Sequence, residues 1–406
     1  MVNLLYGLFL LCLSMHCFVA YCLASETSNH PLANQTFRSE ETHKLKKMIT
    51  SRLQQINKPA VKTIQSPDGD IIDCVVSHKQ PAFDHPLLKG QKPLDPQERP
   101  RGHNQTDLLS DNFQLWSLSG ESCPEGSVPI RRTKEEDILR ASSINTFGRK
   151  LNQVGMDTTK YKHVHSTGYV TGDLYYGAKA TINLWSPHVE GEKEFSLSQI
   201  WLTTGRNSNT IEAGWQVSHQ IYGDYLPRSF VYWTADAYKE TGCYNLRCSG
   251  FVQTSKTFTL GGALSPSSTY NGRQLGINLL IYKDRKNGNW WLEYGSGNII
   301  GYWPSSLFTS LKDSATTVEF GGEVYIKSTG THSSTQMGSG HFADEGFSKA
   351  SLFRNLQVVN SDNKLIPLSN LNAYATEPNC YNIIKGINNE GVYFYYGGPG
   401  RNRKCP

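Results

Sequence analysis

Two stretches of this chain alternate apolar and polar residues with the period of two that marks a β-strand buried on one face. In residues 210–217 every second residue is apolar, and Glu212 lies on the other, polar face. Residues 318–326 repeat the arrangement with Glu323 on the polar face. Two acidic side chains are therefore presented by strands that lie far apart along the chain.

Each of these glutamates has a glycine as its neighbour on its own face. Gly214 follows Glu212 and Gly321 precedes Glu323, and a residue without a side chain is expected to leave room for a bound molecule. If the fold brings the carboxylates together, they form an acid/base pair that activates water. The alternative is that both are ordinary strand glutamates facing water, which is common for charged residues.

The C-terminal part of the chain reads as an all-β domain. Glycine and tyrosine are abundant, with 36 and 21 residues, as in proteins built of short strands and tight turns. Asn287-Gly288 predicts a type I′ hairpin turn between two apolar strands. The sequence predicts an antiparallel, jelly-roll-like β-sandwich over residues 156–406, with strands at residues 168–174, 178–185, 194–203, 210–218, 230–235, 276–283, 289–294 and 318–327.

The first residues resemble a targeting segment. Residues 4–23 are mostly apolar and end in a small-x-small pattern, which predicts a signal peptide over residues 1–24. A signal anchor is the alternative, because the run approaches the ~20 residues that span a bilayer. We expect a secreted protein without stable membrane association once the signal is removed.

Residues 25–155 differ in composition from the rest of the chain and are interpreted as a small α+β propeptide. Residues 40–56 have helical amphipathic spacing, residues 71–76 predict a strand, and residues 134–139 predict a second short helix. Half of the 18 prolines lie in residues 58–129, where little regular structure is possible. Two basic pairs, Arg131-Arg132 and Arg149-Lys150, offer sites where another protease could cut a zymogen. An ordinary linker or accessory domain is the alternative.

Six of the nine cysteines remain after the predicted signal. An even number in an oxidising compartment favours three disulfides, and zinc ligation is disfavoured because no C-x-x-C pair is present. Fifteen connectivities are possible, of which proximity in sequence favours Cys74–Cys123, Cys243–Cys248 and Cys380–Cys405. Sequons at Asn34 and Asn104 predict glycosylation.

Charge and motif content exclude several function classes. The net charge of +5 is spread over segments of mixed sign, so nucleic acid is not an expected partner. A G-x-S-x-G elbow is absent from the sequence, which removes support for a serine hydrolase. His219 and His341 lie in no nucleophile motif and are interpreted as surface residues.

Several ordered motifs are similar to those of plant neprosin-like proteins. Residues 68–75 (Asp-Gly-Asp-Ile-Ile-Asp-Cys-Val) and 80–86 (Gln-Pro-Ala-Phe-Asp-His-Pro) resemble the activation peptide of that family. Further matching motifs lie at residues 176–180, 211–217, 232–236, 241–246 and 320–324. The resemblance covers nearly all of the chain after the predicted signal.

This resemblance implies a glutamic endopeptidase that cleaves on the carboxyl side of proline in acid, needs no metal or other cofactor, and is inhibited by its own propeptide. The family's catalytic glutamates correspond to Glu212 and Glu323. Two neighbouring carboxylates share a proton, so that one acts as base on water and the other as acid. Glu212 as base and Glu323 as acid is slightly preferred, and the reverse remains open.

The residues around the pair are candidates for binding a proline-containing peptide or protein. Tyr325 is the strongest of them because it shares a face with Glu323. Trp215, Gly214 and Gly321 are the other predicted substrate-binding residues, although aromatic residues such as Trp215 often belong to the core of a sandwich.

Two other functions remain open at this stage. One is a secreted glycan-binding β-sandwich, because fold does not determine function. The other is a neprosin-like protein without catalytic activity. The expected location is extracellular, in the apoplast, with the vacuole as an alternative.

Overall fold

The computed structural model describes residues 32–102, 114–118, 120–150, 160–205, 208–295 and 297–406, with the backbone alone for residues 32–40. The predicted signal peptide, Asn104 and the predicted boundary at residues 155 and 156 lie outside these residues. Asn34 lies in the described backbone of a helix. The chain divides into two units, Met1–Ser51 and Arg52–Pro406, and the features below belong to the second unit except where helix α1 is named.

The part of the chain before residue 151 combines helices with a small sheet, as predicted. Helix α1 (Leu32–Ile56) begins earlier than the apolar spacing predicted, and helix α2 (Glu135–Arg140) lies one residue from its predicted position. Three antiparallel strands form the sheet: β1 (Ala60–Gln65), β2 (Ile71–Val76) and β3 (Ser127–Arg131). No helix of the described residues has the length and apolar character needed to cross a bilayer.

Two larger antiparallel sheets form the predicted sandwich. The first has nine strands, which in spatial order are β17 (Asn382–Asn388), β18 (Gly391–Gly397), β14 (Ser351–Val359), β5 (Gly177–Asn183), β10 (Gly276–Lys283), β11 (Trp290–Tyr294), β12 (Asn298–Trp303) and β9 (Val252–Gln253), with β15 (Leu365–Pro367) paired to β14. The second has six: β16 (Asn372–Ala375), β4 (Tyr161–Tyr175), β13 (Ala315–Lys327), β6 (Phe195–Thr204), β7 (Asn209–Ser218) and β8 (Arg228–Thr234). The four-residue helix α3 (His219–Tyr222) follows β7.

The period-two alternation of β7 and β13 is reproduced in the packing. Ile211, Ala213, Trp215 and Val217 are buried in the main core between the two sheets. The alternate residues of both strands face the other side of the six-stranded sheet, where a second cluster lies. The local pattern therefore identified the strands and the buried face of each.

Trp215 is a core residue, which corrects its prediction as a substrate-binding residue. Its side chain is fully buried on the face opposite Glu212. Its indole nitrogen donates a hydrogen bond to the main-chain oxygen of Asn183 at the end of β5, 2.8 Å away. This contact joins the two sheets of the sandwich.

The strands flanking Asn287-Gly288 pair as predicted, but the turn between them is different. Lys283 pairs with Trp290, so the connection is longer than a two-residue turn. Gly288 has a positive φ of 77°, and Asn287 is not among the residues of positive φ, whereas a type I′ turn needs positive φ at both positions. Asp284 fixes this loop by accepting the amide of Lys286.

All three predicted disulfides are confirmed. They are Cys74–Cys123, Cys243–Cys248 and Cys380–Cys405. The first belongs to the small three-stranded sheet, whose own core also contains Trp116. Short loops closed by a disulfide, as in residues 243–248, restrict the unfolded chain and hold the local backbone in place.

Trp215→Ala should destabilise the full-length protein by about 3–5 kcal/mol, because it removes a large buried side chain and leaves a cavity between the sheets. Urea unfolding at neutral pH measures this. Tyr374→Ala is the control, since Tyr374 is 54% exposed on the edge strand β16 and should change stability by no more than about 0.5 kcal/mol. Equal effects of the two substitutions would contradict the placement of Trp215.

Candidate active site

The candidate site lies on the face of the six-stranded sheet that points away from the main core. Glu212 on β7 and Glu323 on β13 are separated by strand β6 alone. Trp201 on β6 pairs with Glu212 on one side and with Glu319 on the other, so Glu323 is displaced by four residues along its strand. Both glutamates are buried, with 0% and 1% of their surfaces exposed.

The ammonium group of Lys150 bridges the two carboxylates. Its Nζ lies 3.1 Å from Oε2 of Glu212 and 2.9 Å from Oε2 of Glu323. Lys150 is itself buried and belongs to the segment that precedes the sandwich. The structure therefore brings together the two glutamates that the strand pattern singled out, and a third charged residue covers them.

Tyr238 and Thr210 hold the second oxygen of Glu212. The Tyr238 hydroxyl donates to Oε1 over 2.7 Å, and the Thr210 hydroxyl lies 3.2 Å from the same atom. Ala237 and Tyr238 both have positive φ, 58° and 63°, a conformation that non-glycine residues adopt at a cost. Asp236 stabilises this loop by accepting the amides of residues 239, 240 and 241.

Two histidines of β4 lie next to the carboxylate of Glu323. His163 donates through Nδ1 to Oε1 at 2.5 Å, and His165 Nε2 lies 3.9 Å from Oε2. Both histidines are on the same face of β4, two residues apart, and pair with residues 325 and 323 of β13. Glu323 thus accepts a hydrogen bond from a histidine as well as from Lys150, whereas the hydrogen bonds to the second oxygen of Glu212 come from hydroxyl groups. Glu319, four residues before Glu323 on the same face, interacts electrostatically with both glutamates.

These neighbours set the protonation of the site. Burial opposes ionisation of Glu323, but the charge of Lys150 and the hydrogen bond from His163 outweigh it and hold the pKa of Glu323 well below its usual range. Burial opposes the charge of Lys150 as well, and the two carboxylates outweigh it and raise the pKa of Lys150 well above its usual range. Burial lowers the pKa of His165. An ionised Lys150–Glu323 pair is therefore the stable state of the covered site.

The segment containing Lys150 binds along the site through its main chain. The amide of Lys150 donates to the Tyr232 hydroxyl over 3.3 Å, and the amide of Tyr244 donates to the main-chain oxygen of Gly148 over 2.8 Å. A cavity of about 490 Å³ beside this segment is lined by both the segment and the sandwich. The covered surface is a cleft that already holds a peptide of the same chain.

Neither of the two glycines beside the glutamates leaves space for a substrate, contrary to the prediction. A Cβ on Gly214 would lie 2.0 Å from the main-chain oxygen of Ser198 on β6. A Cβ on Gly321, where φ is +151°, would lie 2.4 Å from the main-chain oxygen of Ser166 on β4. The absent side chains allow close approach of neighbouring strands instead.

Tyr325 lies where its strand pattern placed it, on the same face as Glu323. Its ring stacks on Phe195 and on Tyr161, with centroids 5.6 and 5.3 Å apart, and contacts His163. It is mostly buried in the second cluster. Its role in binding substrate stays a prediction.

Sequence reasoning missed Lys150, His163, His165 and Tyr238 as site residues. Lys150 was noted only as part of a basic pair for cleavage. The two histidines are spaced two residues apart, as residues on one face of a strand are, but both precede residue 168, where this strand was predicted to begin. His219 and His341 lie elsewhere, stacking on Tyr225 and Tyr270 respectively.

The basic pair 131–132 is also engaged in ion pairs in this structure. Arg131 contacts Asp70 and Asp137, and Arg132 contacts Asp73. Among the described residues, one group of potential metal ligands consists of His332, Cys380 and Cys405. The two sulfurs of that group form a disulfide, so they are not available as thiolate ligands.

The fold and the site define a β-sandwich with a buried pair of carboxylates covered by a preceding segment of the same chain. A family model described as Neprosin matches residues 192–399, and one described as Neprosin activation peptide matches residues 63–171. The chain belongs to the neprosin family. An activation peptide followed by a neprosin domain is the organisation of a peptidase made as a zymogen.

Solved structures with a similar arrangement have low similarity. A scytalido-glutamic peptidase with a peptide-based transition state analog matches 59% of this chain and 99% of its own, at 10% identity and a TM-score of 0.33. SCP-B, a member of the Eqolisin family in complex with Ala-Ile-His, gives the same coverage, 10% identity and 0.30. A toad ovary galectin with thio-digalactose matches 39% of this chain and 90% of its own, at 10% identity and 0.21. At these scores we base no argument on them.

Lys150→Met should destabilise the full-length protein at pH 7 by about 3–5 kcal/mol, because it leaves two buried carboxylates without their counter-charge. Urea unfolding measures the change. The matched control is Lys239→Met, which removes an exposed lysine from the same cavity wall and should have an effect of no more than about 0.5 kcal/mol.

The pH dependence of stability should change sign with this substitution. In the wild type, Glu323 stabilises the fold above the unfolded value of about 4.3 and Lys150 stabilises it below about 10.4. Their joint contribution is therefore constant between these values and falls as the pH drops below about 4.3 or rises above about 10.4. In Lys150→Met the buried pair must hold a proton, so stability should rise as the pH falls from about 7 to 5. Parallel pH profiles for the two proteins would contradict an ionised bridge.

Proposed function

We propose that the protein is a secreted glutamic endopeptidase, made as a zymogen, that hydrolyses peptide bonds on the carboxyl side of proline at acidic pH. The observation that carries this proposal is the bridge from Lys150 to both Glu212 and Glu323. Because the single ammonium group of Lys150 contacts both carboxylates, both can also reach one bound group in this cleft, which the covering segment of the chain occupies. Activity of this chain is the first thing to be tested.

The neighbours of the two carboxylates favour Glu323 as the base and Glu212 as the acid, the reverse of the assignment slightly preferred from sequence. When the charge of Lys150 leaves, two buried carboxylates near each other share a proton. Donation from His163 to Glu323 favours the ionised form there. The role of the acid then falls to Glu212, whose partners besides Lys150 include the hydroxyl groups of Tyr238 and Thr210.

The reaction follows from these protonation states. Ionised Glu323 takes a proton from a water molecule as its oxygen attacks the scissile carbonyl carbon. Protonated Glu212 donates a hydrogen bond to the carbonyl oxygen and stabilises the developing negative charge. Glu212 then passes its proton to the leaving nitrogen as the C–N bond breaks and the carbonyl re-forms, and the proton that Glu323 took from water returns to Glu212.

The preference for proline rests on the family resemblance and on aromatic surface beside the base. Tyr325, Phe195 and Tyr161 stack in series next to His163 and Glu323. Aromatic faces provide a rigid apolar surface for a proline ring. Three disulfides are consistent with the proposed secretion.

The preceding segment is proposed to inhibit the site until acid releases it. Lys150 is one contact between this part of the chain and the sandwich. A second is made by the buried Arg228 of β8, which forms ion pairs with Asp68 and Asp70 of the activation peptide. These ion pairs tie the activation peptide to the sandwich, so release of the segment has to break them. Asp73 and Asp84 pair with Arg132 and Lys58 in the same segment.

Glu212→Gln and Glu323→Gln should each lower kcat/KM on proline peptides in acid by at least about 10²-fold, since each removes one proton-transfer group. Mass spectrometry of a peptide digest, from pH 3 to 7, measures both rate and cleavage position. Glu390→Gln is the control, because Glu390 is exposed in the turn between β17 and β18 and its substitution should leave kcat/KM unchanged.

The pH profile separates the roles of the two glutamates. If Glu212 is the acid, the residual activity of Glu212→Gln should no longer decrease as the pH rises, because the glutamine has no carboxyl proton to lose. If that variant instead loses the fall on the acid side, the assignment is reversed. Cleavage by both variants at the wild-type rate would remove the assignment of the two glutamates. Absence of cleavage by the wild type would remove the peptidase proposal and leave glycan binding or a protein without catalytic activity.

Processing of the zymogen should require the same carboxylates. Full-length wild-type protein incubated at about pH 4 should shorten as seen by gel and mass spectrometry, because the proposed peptidase works in acid and can cut the segment that covers its own site. The full-length Glu323→Gln chain should stay intact under these conditions, unless a trace of active wild type is added. Self-processing of the variant would show that the cut does not depend on this site.

A further inference from the structure

The covering segment lies in the cleft as a bound peptide would, and its contacts identify a second recognition position in addition to the glutamate pair. Three residues before Lys150, the side chain of Phe147 is buried with 2% of its surface exposed. The guanidinium carbon of Arg247 lies 4.9 Å from the centre of the Phe147 ring. Phe147, Lys150 and Arg247 all line the same cavity.

The peptide between these two positions is fixed by its main chain. The oxygen of Gly148 accepts the amide of Tyr244, and the amide of Lys150 donates to the Tyr232 hydroxyl. Gly148 has a φ of +84°, and a Cβ there would lie 2.8 Å from Cβ of Arg247. The segment is therefore in close contact with the loop that carries Arg247.

Arg247 is positioned mainly by the sandwich, and the charge of Asp137 on helix α2 of the preceding segment acts on it as well. It lies within the loop closed by the Cys243–Cys248 disulfide. Its Nη2 donates to the main-chain oxygen of Ile221, and its guanidinium lies 5.8 Å from the centre of the Tyr222 ring. When the segment departs, these contacts remain, and the arginine keeps one face toward the space that Phe147 occupied.

We propose that Arg247 forms a substrate subsite that selects an aromatic side chain three residues to the amino side of the scissile proline. This proposal rests on the proposed function, because it assigns the scissile proline of a substrate to the position that Lys150 occupies in the covering segment. A guanidinium held over an aromatic ring in a desolvated slot is attracted to its face. An aliphatic side chain would fill the slot without that attraction.

An acidic side chain is the competing occupant of a site containing arginine. The walls of the slot argue for the ring, since Ile221 and Tyr244 also line the cavity and the residue present in the structure is a phenylalanine. Burial lowers the pKa of Arg247 to about 10, so the guanidinium stays charged at the acidic pH proposed for catalysis.

The test uses full-length protein processed in acid and a set of peptides with a single proline. The residue three positions before the proline is Phe, Leu, Ala or Asp, and a second set places the same residues three positions after it. The Phe peptide of the first set should have a kcat/KM higher than the Leu peptide by roughly 5- to 30-fold. Arg247→Met, which keeps the aliphatic stem, should abolish the difference, and Lys239→Met should preserve it.

The outcomes separate this proposal from the proposed function. If the wild type cleaves after proline with no preference for Phe, with preference for Asp, or with preference in the second set alone, the subsite is wrong and the peptidase stands. If the wild type cleaves none of the peptides, the proposed function fails and the subsite fails with it.

A second measurement does not depend on catalysis. In the intact chain, trypsin cleavage after Arg149 reports how often the segment leaves the cleft. Phe147→Ala and Arg247→Met should each accelerate that cleavage, and the double variant should be no faster than the faster single variant, because both remove the same contact. Additive effects would show that the ring and the guanidinium act independently and would overturn the proposed contact.

Discussion

The ion pair network centred on Lys150 is the interaction on which the candidate site depends. Two carboxylates with 0% and 1% exposure are not stable side by side without compensation, because the low-dielectric interior penalises both charges. The ammonium of Lys150 supplies the counter-charge from a segment that precedes the sandwich. Stability of the full-length chain and blockage of the site therefore come from the same contact.

This arrangement lets the full-length chain bury the two glutamates of the proposed active site without a large loss of stability. A strand glutamate can be buried here because another part of the chain neutralises it, and the neutralising residue is held near a predicted point of cleavage rather than in the sandwich. Loss of that segment would leave the carboxylates sharing a proton, which is the protonation state that the proposed chemistry needs. In the proposed function, the inhibited and the catalytic forms are two protonation states of the same pair of glutamates.

The surroundings of each carboxylate differ because they come from different strands and loops. Glu323 faces His163 on the neighbouring strand β4, whereas Glu212 faces Tyr238 on a loop whose backbone is held in an uncommon conformation. The asymmetry gives a physical basis for assigning base and acid. It also places Tyr238 as a positioning residue for Glu212.

The sequence by itself determined eight strands of the sandwich, the faces of β7 and β13 that pack in the main core, and the disulfides, because these depend on local alternation and on short separations along the chain. It did not predict β9, β12 or β14 to β18. It also singled out Glu212 and Glu323, and the family matches confirm the resemblance on which their proposed roles rest. Only the tertiary structure placed Lys150 between them, moved Trp215 into the core and showed that Gly214 and Gly321 accommodate neighbouring strands. Those features depend on contacts between segments distant in sequence, where register and side-chain direction are decided by packing that no local pattern records.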